Sequence, residues 1–338
     1  MKTHLIKKTI VLGAISMISF SCSSLYHFKL SVLKPAGTNL PQRIQKIDII
    51  NHSYIPNYAS FKDEEGKAII GFDSTFSWQY ITTLNSLLAN SPRFEVKKIY
   101  NAPKSFRSRG KDLELKLADS ICKKDSVDAA IILEKYLIDN VRSSENVDFY
   151  YSRNTTSLGS IVFWKIYDVR TRKIIDKYVI RDSTNVYNFS PYWGFRRSVN
   201  ILDKTLASAN SVAINYAQRI APEWYSEDRY LYCLNNDNFN YAIANIKQNN
   251  WDKAISCWES CVSSENKNIA SKAAFNIAIA YETKDELNIA IEWAAKSFLL
   301  FNNPASEKYI EVLEKRIEDN KILIEQLQAS LQNKPSKK

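Results

Sequence analysis

Apolar and polar positions follow two regimes along this chain. Up to about residue 222, short apolar runs alternate with amphipathic stretches; from about residue 238 onward the apolar stripes keep helical spacing. Ile44 to Ile50 predicts a strand closed by Asn51, and Phe94 to Tyr100 a second short strand. Between them Asp73 and Ser74 can cap a helix to Asn90, whose stripe is Trp78, Ile81, Leu84, Leu87 and Leu88. A second helix, Asp112 to Lys124, would bury Leu113, Leu117 and Ile121. Val127 to Leu137 predicts a central strand, because Ala129 to Leu133 is apolar throughout and so suits cover on both faces. A strand around Val147 to Tyr151 precedes a hairpin of Ser160 to Val169 and Lys173 to Asp182 across Arg170-Thr171-Arg172. A long helix, Arg196 to Ile220, carries the stripe Leu202, Leu206, Ala209, Ala213, Tyr216 and Ile220 and ends before Pro222. That order makes a mixed sheet with helices packed on it.

The second regime reads as tetratricopeptide-like. Ala242 and Ala254 are small positions in one unit, Ala278 and Ala290 in the next, 36 residues on. Small residues allow paired helices to cross closely. Trp258 and Ala294 occupy equivalent places; Asn245 stands where Tyr281 does, and no Trp-Leu-Gly opens either unit. Two units need a further helix to cover them, and Ser306 to Leu331 supplies it with Ile310, Leu313, Ile317, Ile324, Leu327 and Leu331. That stripe reads as a cap, or as a coiled-coil seam in which Asn320 sets register. The fold class is therefore α+β: a mixed α/β sandwich over 44–222, then an all-α repeat domain over 223–332, with 333–338 as a loose tail.

The amino terminus changes the picture. Lys2, Lys7 and Lys8 precede an apolar run, Thr9 to Phe20, too short to span a bilayer, and Ser19-Phe20-Ser21-Cys22 closes it. Residues 1–21 resemble a bacterial lipoprotein signal, with Cys22 as the lipidated first residue of the mature chain. Residues 22–43, with Pro35 and Pro41, read as the tether. An exported chain removes nucleic acid as a partner for the formal charge of +10, leaving solubility, anionic lipid heads or acidic envelope polymers as its use. Cys122, Cys233, Cys257 and Cys261 read as small buried residues, with a bond from Cys233 to Cys257 or Cys261 as the alternative.

Catalytic patterns are sparse. The three histidines include His4 in the signal, His27 in the tether and His52 after the first strand. His52 near Asp48 reads as a polar strand end. No His-Glu-x-x-His, Cys-x-x-Cys or Gly-x-Ser-x-Gly occurs, and the seven glycines form no phosphate-cradling loop. Neither metal nor cofactor is expected. Asp168, Asp176 and Asp182 on the hairpin are the carboxylates an acid/base hydrolase could use; Asp176 and Asp182 share a strand face. Phe149, Tyr150 and Tyr151 run together, and Tyr187, Phe189, Tyr192, Trp193 and Phe195 crowd around Pro191 before Arg196 and Arg197. Such rings seal a core or form a recognition surface. The candidate binding residues are Tyr192, Trp193 and Arg196.

The element order is similar to the small α/β domains of periplasmic assembly lipoproteins. Lys34-Pro35-Ala36, Ala129 to Glu134, and Trp164-Lys165-Ile166-Tyr167-Asp168 leading to Asp182-Ser183 resemble an uncharacterised family of Bacteroidota lipoproteins, in which an α/β domain precedes tetratricopeptide-like helices. The resemblance implies architecture and address, but no reaction. Ser23 to Lys29 holds no acidic residue, unlike the surface-export signal of Bacteroidota lipoproteins, so the protein is expected to face the periplasm on the outer membrane. The expected function is a non-catalytic protein-binding or assembly scaffold using the repeat groove. The alternative is a glycan- or peptidoglycan-binding module using the aromatic loop, and the third reading is the acid/base hydrolase.

Overall fold

A computed structural model describes residues 24–53, 72–102, 111–146, 151–191 and 201–332. The chain divides into two compact bodies, Leu33–Tyr225 with Asp319–Lys338, and Met1–Val32 with Ser226–Glu318. Mixed strands followed by a run of helices make the fold α+β.

Strand β1 covers Ser24–Lys34, so the stretch expected to be a tether is structured. The reason is a period of two: Tyr26, Phe28, Leu30 and Val32 alternate with His27, Lys29 and Ser31. In the α/β body, β2 (Lys46–Asn51) lies between β3 (Glu95–Asn101) and β4 (Ala129–Asn146), parallel to both. β5 (Tyr151–Asp168) and β6 (Lys173–Pro191) continue the sheet antiparallel, giving the order β3-β2-β4-β5-β6. β4, β5 and β6 are each longer than their apolar runs predict, because the three polar halves pair with one another out to Asn146, Ser152 and Pro191. The strand expected around Val147 to Tyr151 falls mostly outside the described residues.

Helix α1 (Phe72–Asn90) and helix α3 (Ile201–Ile220) pack together on one face. α1 turns Phe76, Tyr80, Ile81, Leu84 and Leu88 into a core with Ile47, Ile49, Ile131, Trp164 and Ile166, all at most 1 % exposed. Trp78, expected in that stripe, is 44 % exposed, because Phe76 and Tyr80 define a face rotated away from it. Ala209, Ala213 and Ala217 let α3 approach closely, and Tyr216 stacks on Trp164 at 4.7 Å. Gln79 and Thr83 on α1 both bond Asn210 on α3, each at 2.7 Å. The opposite face holds α2 (Lys111–Asp125), with Ala118, Ile121 and Cys122 against Ile50, Ala130 and Ile132. β2 thus serves two cores through its two faces, as its apolar run requires.

β7 (Glu223–Cys233) pairs with β1 in a two-stranded sheet. This strand departs from the all-α domain expected over 223–332. In the helical body, α4 (Asp237–Lys247), α5 (Trp251–Val262), α6 (Lys267–Thr283) and α7 (Leu287–Phe301) each pack on the next. Asn236, Asn250 and Asn266 cap the first three through their side chains, each worth about 1 kcal/mol. Ala242, Ala254, Ala278, Ala290, Trp258 and Ala294 are fully buried.

The backbone repeats as well. Asn249 and Asp285, 36 residues apart, both adopt left-handed φ, 58° and 61°. The turn at Asn245–Asn250 bonds from Gln248, Asn249 and Asn250 to the carbonyls of Asn245 and Ile246. Lys284, Asp285 and Glu286 repeat those bonds to Tyr281 and Glu282. The departure of Asn245 from Tyr281 therefore leaves the turn unchanged.

Helix α8 spans Pro304–Gln332. Its first half caps the helical core through Leu313, with Tyr309, Ile310 and Ile317 packed beside it. Further on, the expected stripe is displaced. Ile324 is 62 % exposed, while Leu323, Gln326 and Leu327 are buried. In the α/β body, Gln326 bonds the main chain of Ala36 in both directions, at 2.8 and 3.0 Å. At about 100° per residue Ile324 lies roughly 20° from Leu313 and Leu323 roughly 80° away, so the second half of α8 is buried through a different face from the first.

Candidate functional site

β7 carries the helical body's distinctive chemistry. Trp224, Tyr225, Tyr230 and Tyr232 give it strand propensity, while Glu227, Asp228 and Arg229 make it polar. Arg229 is 9 % exposed and needs a buried partner. That partner is Glu282 near the end of α6. Arg229 donates from Nε to Oε2 at 2.7 Å and from Nη2 to Oε1 at 2.8 Å. Arg316 of α8 donates from Nη1 to Oε1 at 2.9 Å and from Nη2 to Asp285 Oδ1 at 2.9 Å. The Tyr309 hydroxyl also donates to Glu282 Oε2. Burial alone would raise the Glu282 carboxyl; the Arg229 bonds and charge, with Tyr309 and Arg316, outweigh it and hold it below its usual range. Burial and then Glu282 push the Tyr309 hydroxyl well above its ordinary value.

By the 36-residue offset Glu282 stands where the first unit has Ile246, an apolar core residue. A carboxylate at a repeat's core position is the signal that could have drawn attention to this place.

Beside the network lies a cleft of ≈ 440 Å³ bounded by β7, α6 and α8. Phe275 and Ile279 from α6, Tyr230 from β7, and Tyr309 and Val312 from α8 form its apolar surface. Tyr230 stacks on Phe275 at 5.5 Å and Tyr309 tilts against Phe275 at 5.4 Å, fixing the aromatic wall. Lys308 stands exposed at the mouth, whereas Asp228 pairs with Lys29 at 2.7 Å. The ionic groups of Glu282, Arg229 and Arg316 are tied to one another, so the surface offered to a ligand is mainly aromatic and aliphatic.

Tyr192, Trp193 and Arg196 lie outside the described residues, as do Cys22, Phe149 and Tyr150. Asp168, Asp176 and Asp182 are all held by neighbours. Asp168 takes a bidentate pair from Arg43, the Thr171 hydroxyl and the Arg170 amide. Burial opposes ionisation there, but Arg43 first and then Thr171 bring its pKa to about 2. Asp176 pairs with Arg219 at 2.6 Å, and Asp182 accepts from Ser208 at 2.9 Å. Both face α3, as the even spacing requires. His52 is anchored by its amide to the Leu133 carbonyl at 3.0 Å. Asp48, four residues back along a strand and so about 13 Å away, accepts from the Lys98 amide at 3.0 Å. Burial and then the charge of Asp125 push Asp48 up to about 6.

Cys122, Cys233, Cys257 and Cys261 are free thiols, so the alternative of a bond from Cys233 is not realised. Burial pushes the Cys122 thiol up to about 12. Among the described residues no helix is long and apolar enough to cross a membrane, and no group of three or more His, Cys, Asp or Glu could hold a metal ion.

No curated protein matches the chain. Solved structures with some likeness include a neuraminyllactose-binding hemagglutinin homologue from Helicobacter pylori, 10 % identical, with a TM-score of 0.35 over 55 % of this chain and 87 % of that one. The hypothetical protein CT253 from Chlamydia trachomatis is 11 % identical, with a TM-score of 0.24 over 52 % of this chain and 98 % of that one. Lipoprotein GNA1162 from Neisseria meningitidis is 12 % identical, with a TM-score of 0.19 over 51 % and 99 %. Residues 240–315, which hold most of the cleft, match the domain of unknown function DUF6340. Residues 44–232, more than half the chain, match the domain of unknown function DUF8603, and the chain belongs to that family.

Proposed function

We propose that this protein is an outer-membrane lipoprotein, anchored through Cys22 and facing the periplasm, whose helical body binds a polypeptide partner without catalysing a reaction. The observation that carries the binding role is the ≈ 440 Å³ cleft between β7, α6 and α8. Its walls are apolar, and the carboxylate beside it, Glu282, is surrounded by Arg229, Tyr309 and Arg316. A carboxylate held ionised by two guanidinium groups is a poor proton donor, whereas packed aromatic rings around a concavity favour side-chain insertion. The anchor rests on the basic start, short apolar run and cysteine of residues 1–22. Acyl chains on Cys22 would hold the protein durably, since two chains anchor where one is marginal.

A photo-cross-linking residue at Val312, compared with one at exposed Glu292, tests the binding role in intact envelopes. A discrete polypeptide adduct from 312 and none from 292 is expected; equal or absent adducts refute it. Cys22→Ser tests the anchor. The variant should lose its acylated amino-terminal peptide and leave the membrane fraction, and retention there would overturn the anchor.

A further inference from the structure

Three consecutive residues of β7, Asp228, Arg229 and Tyr230, line the cleft. Side chains alternate between the faces of a strand, so a cleft that meets three in a row meets the strand along its edge. The hydrogen bonds of β7 say which main-chain groups point there. Asn276 of α6, fully buried, donates from Nδ2 to the Tyr232 carbonyl at 2.9 Å and accepts from the Tyr232 amide through Oδ1 at 2.8 Å. A side-chain amide that reads both groups of one residue does what a neighbouring strand does. Tyr232 therefore faces away from β1, and so, two and four residues back, do Tyr230 and Asp228. The Asp228 carbonyl agrees with this, because the Arg229 side chain donates to it at 3.0 Å. Tyr230 stands between these two protected positions. No hydrogen bond from the described residues reaches its amide or carbonyl on that outer side.

We propose that the cleft takes an extended polypeptide segment that bridges to the Tyr230 main chain as a short added strand, seats an apolar side chain against Phe275, Tyr309 and Val312, and sets a carboxylate against Lys308. The strand mode follows from the amide and carbonyl of Tyr230, which an added strand would satisfy as a pair. The apolar side chain follows from the cleft wall. The carboxylate follows from charge: Asp228 is paired with Lys29 and Arg229 with Glu282, while Lys308 has no ion pair among the described residues. This inference rests on the binding role proposed above and adds its mode and its partner class.

The test uses the full chain in detergent and a panel of threonine-rich octapeptides. Each carries one central Leu or Phe and one Asp at varied distance, and binding is read by calorimetry. The tightest member is then made with a single N-methyl group on its central residue, and separately on the next residue. Strand addition predicts at least tenfold weaker binding for one of these and little change for the other, because alternate amides point toward β7. Val312→Asp should abolish binding, and Lys308→Glu should reverse the preference from Asp to Lys peptides. Two N-methyl peptides that bind like the parent, while Val312→Asp still abolishes binding, overturn the strand mode and leave the cleft's binding role standing. Peptide binding untouched by Val312→Asp overturns both. A panel with no member binding at about 1 mM overturns the strand inference, and the cross-link from residue 312 then judges the binding role on its own.

Discussion

Each body of this protein buries a carboxylate, and the two are treated in opposite ways. In the α/β body Asp48 sits on the α2 face of β2, fully enclosed, with one oxygen on the Lys98 amide and the other without a hydrogen bond. Burial and the neighbouring Asp125 push it up to about 6. In the helical body Glu282 is equally enclosed, yet two arginines and a tyrosine hold it below its usual range. Burial has the same sign in both, so the donors decide the outcome. The polar content of a core therefore says little until its partners are known. The same comparison separates a surface that chemistry could use from one that shape alone defines. Once Glu282 is fully paired, what the adjoining cleft offers is its apolar wall.

The contrast is broken most severely by Glu282→Gln. It leaves Arg229 and Arg316 with their counter-ion removed in a buried place, and a loss of about 3–5 kcal/mol in chemical unfolding is expected. A change below about 1 kcal/mol would mean that the network is not what orders β7 against α6.

Asp48→Asn should act in the other direction. The folded protein holds the Asp48 proton more tightly than the unfolded chain does, so this residue makes stability fall as pH rises from about 4 through 6, and the loss stays constant above that. The Asn variant should be more stable at pH 7 by about 3 kcal/mol and should lose this part of the pH dependence. Equal stability of the two proteins at pH 7 would show that Asp48 titrates normally.

Asp168→Asn sharpens the comparison with a smaller effect. Asp168 is held at about 2 by Arg43, Thr171 and the Arg170 amide, so its stabilisation is present above about pH 4 and is lost as pH falls through 2. Its removal should cost about 2 kcal/mol at pH 7 and nothing at the lowest pH where the fold persists. A loss independent of pH would point to packing of the turn instead of its charge.

Much of the fold was legible because its cause is local. The run Ala129 to Leu133 indicated a strand covered on two faces, and it lies between β2 and β5 with helices on both sides. The small alanines marked the helix crossings, and the 36-residue period returned in the turns at Asn249 and Asp285. β1 and β7 were missed for opposite reasons. Two prolines and a leader-like apolar run directly upstream make residues 22–43 look like a tether, despite the alternation of Tyr26, Phe28, Leu30 and Val32. The charges of Glu227, Asp228 and Arg229 hid a strand whose arginine turns inward. The cleft itself had one local trace, the acid Glu282 where the first unit has Ile246.

By itself the sequence determined the α+β class, the helix pairs and the spacing of their small residues, because periodicity reports which side of a segment avoids water. Tertiary structure alone decided which polar groups meet. Arg229 and Glu282 are 53 residues apart, and the amide of Asn276 reaches the main chain of Tyr232 across 44. Neither pairing leaves a period in the chain, since a single ion pair or amide contact constrains two positions and not a pattern. Their geometry exists only after α6 and β7 have packed, and the same packing sets Tyr230 beside the apolar wall of the cleft.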